Sequence, residues 1–587
     1  MILAEARLQG ADLFILVGYF VLMFGIGVYF YRHMREMKDF FSGGNNIPWW
    51  LSGISYYMSC FSAFAFITFS AMAYQFGWVA VTLFWVMAPA TLVSVLFFAT
   101  RWRRARIDSP VEYLEERYGP LLRQLLAWEG IPMKIFDDGL KLVAIGIFMS
   151  KGLGMDMFWS MIWAGMIMLA YTYMGGLWAV MVTDFLQFLV MVAGVIVLAI
   201  LAVSEAGGLG NMIRNAPIGF FGPTHPPEYG WLYVASNIFL FILAFSSINW
   251  ALIQRYYCVP KERDAKKVGW LVVVLNIIGP PLILLPALAA RSFMPEVSES
   301  KYVYPMLCMK LLPTGMLGLV VAALFASTMA MLSSNYNVCA SVMTNDIYRR
   351  HIRPQASQRE LVLVGRLNTL IVGITSLSAA FLFALVSGEG LFRSMITIFA
   401  ITTPPVALPM IAGLFTRWFT NKSALAGFLL GVLSGVGILV VCYFNGRSSF
   451  EFRGNILKVE NVITWVGGGV TLAVMTLVSL VDRHTDAQRG RIDAFLHRLT
   501  VPIGQAAVDK PAEPDSTLRG KEPTISPFRV VGVSIMIIAG LMLAVAPAVG
   551  QRLAVKVDLI VGFSLLTIGA IVLLRHRRRP ARTTSGS

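Results

Sequence analysis

The sequence predicts an all-α polytopic membrane protein of about 15 transmembrane helices, and three observations carry that prediction. Apolar runs of roughly 20 residues recur along the chain, each long enough to cross a bilayer as a helix. The runs are continuous rather than alternating, which selects helices over a closed barrel as the way to satisfy backbone polar groups in lipid. Basic clusters fall on every second connection, the pattern of loops held on the cytoplasmic side. A soluble helical bundle fails on the number and length of the uncharged spans, in a chain that is 57% hydrophobic over 587 residues.

In order, the runs cover residues 12–31, 48–74, 77–99, 122–150, 156–175, 178–203, 231–254, 267–290, 315–345, 360–387, 392–416, 424–444, 460–481, 527–548 and 555–575. The first has no basic segment before it and no small-residue cleavage site after it, so it reads as a retained helix rather than a signal peptide. The clusters "YRHMREMK", "RWRRAR", "QRYYCVPKERDAKK", "YRRHIRPQASQR", "TRWFTNK", "DRHTDAQRGR" and "RHRRRPAR" all lie on one side. That side is the cytoplasm, which places the N-terminus outside and the C-terminus inside an integral plasma (inner) membrane. The net charge of +16 is dispersed over short loops instead of gathered on one face, so a nucleic-acid partner is not implied and the lipid bilayer is. Five scattered cysteines give no disulfide or metal framework.

Polar connections complete the layout. Residues 204–230 form a long, turn-rich external loop that serves as a vestibule cover or a plain spacer. Residues 482–526 are rich in proline and charge and read as a cytoplasmic linker too short for a catalytic domain, ahead of two appended helices in 527–576 and a basic tail over 577–587.

In "YTYMGGLWAVMVTDFLQ" (171–187), Tyr171, Thr172, Gly175, Gly176, Leu177 and Ala179 fit the signature of the sodium:solute symporter family. Other segments agree in the right order. "FFSGGNNIPWWLSGISYYMSCFSAFAFI" resembles the family's entry into its first core helix and "SPVEYLEERYG" its cytoplasmic loop; "NWALIQRYY" and "TNDIYRR" resemble the ends of its sixth and eighth core helices. The resemblance implies an inverted-repeat transporter fold of the LeuT type. Five helices within 48–203 are repeated upside down within 231–416, preceded by an extra helix and loop in 1–47 and followed by two more helices in 417–481. In such folds discontinuous helices near the midplane expose backbone groups to solute and ions.

One carboxylate, Asp184, stands inside the run "AVMVTDFLQFLVMVAGVIVLAIL". An ionised side chain at the centre of a membrane helix costs at least about 2.5–3.5 kcal/mol, so it faces a partner or a water-filled path, or else snorkels to the helix end. The resemblance implies the former: an ion route in which Asp184 joins the hydroxyls of Ser333 and Ser334 as a candidate Na+ site. The family's principal sodium site maps to the carbonyls of Met58 and Phe61 with Ala330. Its two hydroxyl positions read Ala330 and Met331, so those oxygens are missing, while Ser327 and Thr328 lie one turn earlier.

In "KIFDDGLKLVAIGIF", Asp137 and Asp138 stand four and three residues before Lys141, so the three share a helical face as a self-neutralised structural cluster, a grip on a charged solute or a proton path. By resemblance the solute pocket comprises Ser62, Ala65, Phe84, Met87, Asp138, Lys141, Ile242, Phe245 and Asn276; where sugar-transporting relatives carry polar side chains it reads Ala65, Phe84, Met87, Ile242 and Asn276, with Phe245 at the inner gate, too apolar for a typical hexose. A small, partly apolar organic solute such as a carboxylate, amino acid or amine fits better. All six histidines fall in loops, which excludes a histidine relay.

The reading is therefore a secondary active transporter and not an enzyme, with no catalytic residues and no cofactor beyond Na+ as the coupling ion. It carries a small organic solute with that ion by alternating access. Proton-coupled or uncoupled transport, and a solute sensor built on the transporter fold, remain open.

Overall fold

The structure, a computed structural model, describes residues 10–31, 43–107, 109–153, 155–297, 299–313, 315–386, 391–447, 449–452, 455–503, 527–545 and 552–577. The cluster at 32–38, most of the linker (504–526) and the tail beyond residue 577 lie outside the described residues.

Helix α1 (Gly10–Tyr31) leads to a first core helix broken in two, α2 (Trp49–Met58) and α3 (Ala63–Phe76). Next come a bent helix α4 (Val79–Arg104), a short α5 (Tyr113–Tyr118), the long α6 (Pro120–Leu153) and α7 (Met157–Glu205). After α8 (Leu209–Arg214), the second half opens on another broken helix, α9 (Trp231–Leu243) and α10 (Trp250–Tyr257). It continues through α11 (Glu262–Phe293), α12 (Val303–Leu311), α13 (Met316–Val342), α14 (Gln358–Val386) and α15 (Leu391–Phe415). Helix α16 (Asn421–Phe444), a hairpin of β1 (Ser449–Phe452) and β2 (Asn455–Lys458), α17 (Val459–Val481), α18 (Asp486–Thr500), α19 (Pro527–Val545) and α20 (Arg552–Arg577) follow.

Among the described residues, 11 helices are long and apolar enough to cross a membrane. The remaining expected spans are the broken α2–α3 pair, the charge-bearing α6, and two shorter apolar stretches, Met157–Ala170 and Arg529–Ala544. The runs 156–175 and 178–203 join into the single element α7, because no proline or cap interrupts the backbone ladder between them.

Three departures from the sequence reading have local causes. The linker is partly folded: α18 opens on a capping box of Thr485 and Gln488 and buries Ile492, Phe495 and Leu499, spaced at three and four residues on one face. Phe495 stacks on Tyr113 with ring centroids 5.8 Å apart, fastening α18 to α5. His351, His497 and His576 lie in the helical segment Met343–Ile352, in α18 and in α20 instead of loops. The external loop is anchored, because the Trp78 N–H donates to the Phe220 carbonyl at 2.7 Å.

That anchor depends on Gly77, whose φ is +74° and where a Cβ would stand 1.9 Å from the Phe220 oxygen. Gly77→Ala is expected to cost at least about 1–3 kcal/mol through backbone strain and displacement of the loop, read as a lower Tm in detergent.

The extra helix α1 is keyed to the core by its only acid. Asp12 Oδ1 accepts the N–H groups of Gly315 and Gly318 at 2.7 and 2.8 Å, satisfying orphan donors at the start of α13. On the other flank of α1, Gly18 leaves room for Leu541 of α19.

Candidate functional site

The break in the first core helix falls at "SCFS", where small polar side chains compete with the backbone for hydrogen bonds. Cys60 and Phe61 fall back to single-turn bonds, to the Tyr57 and Met58 carbonyls, and Ser62 is extended at φ −149°, ψ 170°. The first amide of α3 finds its partner outside the helix: Ala63 N–H donates to Thr328 Oγ1 of α13 at 2.8 Å. Helix α13 is unbroken here, so Thr328 reaches the break with no local irregularity. Its hydroxyl oxygen keeps one lone pair beyond that bond. The second half breaks at Asn249 (φ −80°, ψ 82°), after a wide turn over Ala244–Ile248.

Asp184 is fully buried, and four helices meet at it. Ser55 of α2 donates to Asp184 Oδ2 at 2.5 Å, and Arg255 of α10 places Nη2 3.7 Å from the same oxygen. The guanidinium, itself fully buried, also donates to Ser55 Oγ at 3.1 Å, to Ser334 Oγ of α13 at 2.6 Å and to Gln254 Oε1 at 2.8 Å. Ser59 closes the ring 3.0 Å from Ser334. Ser333 points back along its helix to the Ala330 carbonyl at 3.2 Å. Asp184 therefore meets Ser334 through Arg255, and its Oδ1 is buried with no hydrogen-bond partner among the described residues.

Between the two breaks lies a cavity of about 180 Å³. Of the expected pocket residues, Ser62, Ala65, Met87, Lys141 and Phe245 line it. Phe84 stands behind the wall, stacked on Phe69 at 4.4 Å. The Asn276 side chain is turned to Thr91 Oγ1 at 3.0 Å, and neither it nor Ile242 lines the cavity. On α6, Lys141 Nζ bonds Asp137 Oδ2 at 2.6 Å and Asp138 Oδ1 at 3.4 Å. Asp138 also accepts from Asn335 at 2.6 Å and lies behind Lys141, off the wall, with its Oδ2 unpartnered.

At one end of the bundle the "SPVEYLEERYG" and "TNDIYRR" segments interlock. Ser109 Oγ donates to Asp346 Oδ2 at 2.5 Å and Arg123 Nε to Asp346 Oδ1 at 2.7 Å. Glu115 takes Arg123 Nη1 at 2.7 Å and both Nη atoms of Arg350. These bonds hold Glu115 well below the ordinary carboxylate range, at about 2, with the Arg350 hydrogen bond the largest cause.

Two discontinuous helices, one from each half of an inverted repeat and facing one central cavity, define a secondary active transporter. A profile of the sodium:solute symporter family matches residues 40–218 and 252–431. The chain belongs to that family: it is a multi-pass membrane protein whose class couples sodium to symport of a small organic molecule by alternating access. The sodium/mannose cotransporter of Bos taurus is 27% identical over 489 residues, spanning 74% of this chain and 80% of that one. The sodium/glucose cotransporter of Vibrio parahaemolyticus is 26% identical over 465 residues, 73% of this chain and 85% of that one. A solved Na+-coupled sialic acid symporter in a substrate-bound outward-open state superimposes with a TM-score of 0.70 at 21% identity, covering 81% of this chain and 98% of that one; it shows the shared fold.

Proposed function

We propose that the cavity between the two breaks is the solute site, and that sodium is handled on its α2–α13 side by two oxygen sets. One centres on Asp184 Oδ1, which Ser333 and Ser334 would join only by turning from the Ala330 carbonyl and from Arg255; the other is the break itself, with the carbonyls of Met58, Phe61 and Ala330 and the hydroxyl of Thr328. Hard oxygen ligands of this kind suit an alkali cation. The observation that carries the first set is the buried, unpartnered Oδ1 of Asp184. A carboxylate oxygen out of reach of water and without a donor is costly to leave bare, and a small cation answers it. The Arg255 contact at 3.7 Å is to the other oxygen, Oδ2.

The wall of the cavity favours a partly apolar solute over a sugar. Met72, Met87, Phe241 and Phe245 line it, where a polyhydroxylated ligand would require many paired donors and acceptors. We further read the basic connections as cytoplasmic, with the N-terminus outside and the C-terminus inside the plasma membrane.

Purified protein in sealed vesicles tests this reading with sodium and proton gradients imposed separately. Uphill uptake of an organic solute driven by inward sodium is the expected result. Uptake driven equally by protons without sodium, or saturable binding with no flux, overturns sodium symport and favours the proton-coupled or sensor alternatives.

A further inference from the structure

Lys134 of α6 is half-buried and stands about 21 Å along the helix from Pro120, too deep to be a terminal anchor. It lines the central cavity and also a smaller one of about 60 Å³ that opens beside it toward Glu129, Gly130 and Trp250. Asp137 and Phe399 are shared by both walls, so the two spaces adjoin at Lys134.

Lys134 makes no hydrogen bond or ion pair among the described residues. The carboxylates around it are engaged or misaligned. Asp137 is bonded by Lys141 at 2.6 Å. Asp138 is held by Lys141 and, at 2.6 Å, by Asn335. Glu129, five residues back on the same helix, lines the smaller cavity with Lys134 and feels its charge across it, but forms no hydrogen bond or ion pair with it among the described residues. A cation inside the protein without a partner is costly to keep, and sites that tolerate one are those where a ligand completes it. Part of the remaining wall sets the ligand's other end: Phe69, Phe241, Phe245 and Phe399 supply aromatic surface, while Asp137 and Lys141, also on the wall, are paired with each other.

We propose that Lys134 is the solute's anchor and that the solute is an organic carboxylate with an apolar or aromatic body, its carboxylate on Lys134 Nζ and its body against these phenylalanines. The position between two cavities lets the same ammonium hold the carboxylate as the solute leaves the central space for the smaller one. This rests on the cavity being the solute site, and binding is measured apart from transport so that the two readings fail separately.

The probes are 4-phenylbutyrate, its primary amide and 4-phenylbutylamine, titrated calorimetrically into purified protein in sodium-containing detergent buffer. The acid is expected to bind and the amide and amine to bind at least tenfold more weakly. Lys134→Gln should weaken the acid by about 10- to 100-fold, the range of one charge-assisted hydrogen bond, and leave the amide unchanged, while Lys134→Arg stays within about threefold. Unchanged melting of both variants, and unchanged amide binding, separate loss of the anchor from misfolding. Equal binding of acid and amide, preference for the amine, or full acid affinity in Lys134→Gln overturns the proposal. Acid binding that depends on Lys134 without sodium-driven uptake in vesicles keeps the anchor and sinks the transport reading alone.

Discussion

Arg255→Met is expected to destabilise the protein by about 3–5 kcal/mol, because it strands the buried Asp184 carboxylate next to apolar surroundings. Ser55 would still donate to Oδ2, but one hydroxyl does not offset a bare charge out of reach of water. The double variant Asp184→Asn with Arg255→Met removes both charges together. It should recover most of the lost Tm, since a neutral pair carries no unpaired ion. Sodium-driven uptake should stay absent in the double variant, since its acid is gone. Recovery of both folding and uptake would show that the pair serves packing only. The two measurements, thermal melting and vesicle uptake, divide the structural duty of Asp184 from its proposed part in ion handling.

The second large effect is expected at the interlocked end of the bundle. Asp346 lies in the helical segment Met343–Ile352 that continues α13, and Asp346→Ala leaves Arg123, whose side chain is 11% exposed, with Glu115 alone and frees the Ser109 hydroxyl, while Gln124 keeps its bond to the main-chain carbonyl of residue 346. Removing one partner of a buried pair costs about 3–5 kcal/mol, so a large drop in Tm is expected, with faster hydrogen exchange across α5. Glu115 adds a pH signature. Its carboxyl is held at about 2, below its ordinary value, so its contribution is fully present above the usual carboxylate range and is lost as pH falls toward about 2. Protection factors at Tyr113–Tyr118, with the intrinsic pH dependence of exchange divided out, should be flat from pH 8 to about 5 and fall below it; a loss of protection centred near neutrality would contradict the assignment.

Much of this was legible in the chain. Apolar runs of bilayer length announce spans whatever their partners, and Asp184 stood out because a single acid in such a run has few benign explanations. The i,i+3 and i,i+4 spacing of Asp137, Asp138 and Lys141 fixed their meeting in advance, since helix geometry alone decides it. Arg255 was not legible, because it opens "QRYYCVPKERDAKK" and reads as one of several loop charges; only the tertiary fold carries it inward to the Asp184 carboxylate. Lys134 was passed over for a related reason, as it makes no pair on its own helix, and what marks it is the absence of one. Phe84 and Asn276 missed the wall because the bends of α4 and the Thr91 bond re-aim side chains in ways that sequence position does not encode. Helix α18 carried its capping box and apolar spacing in plain sight, hidden by proline-rich neighbours.

The guanidinium beside Asp184 also bears on speed. A lone carboxylate in a dry interior would bind sodium so firmly that release would become the slow step of every turnover. On the proposed sodium route, a fixed positive group shading one oxygen would give the passing ion a shallow well instead of a trap, deep enough to pause in and easy to quit.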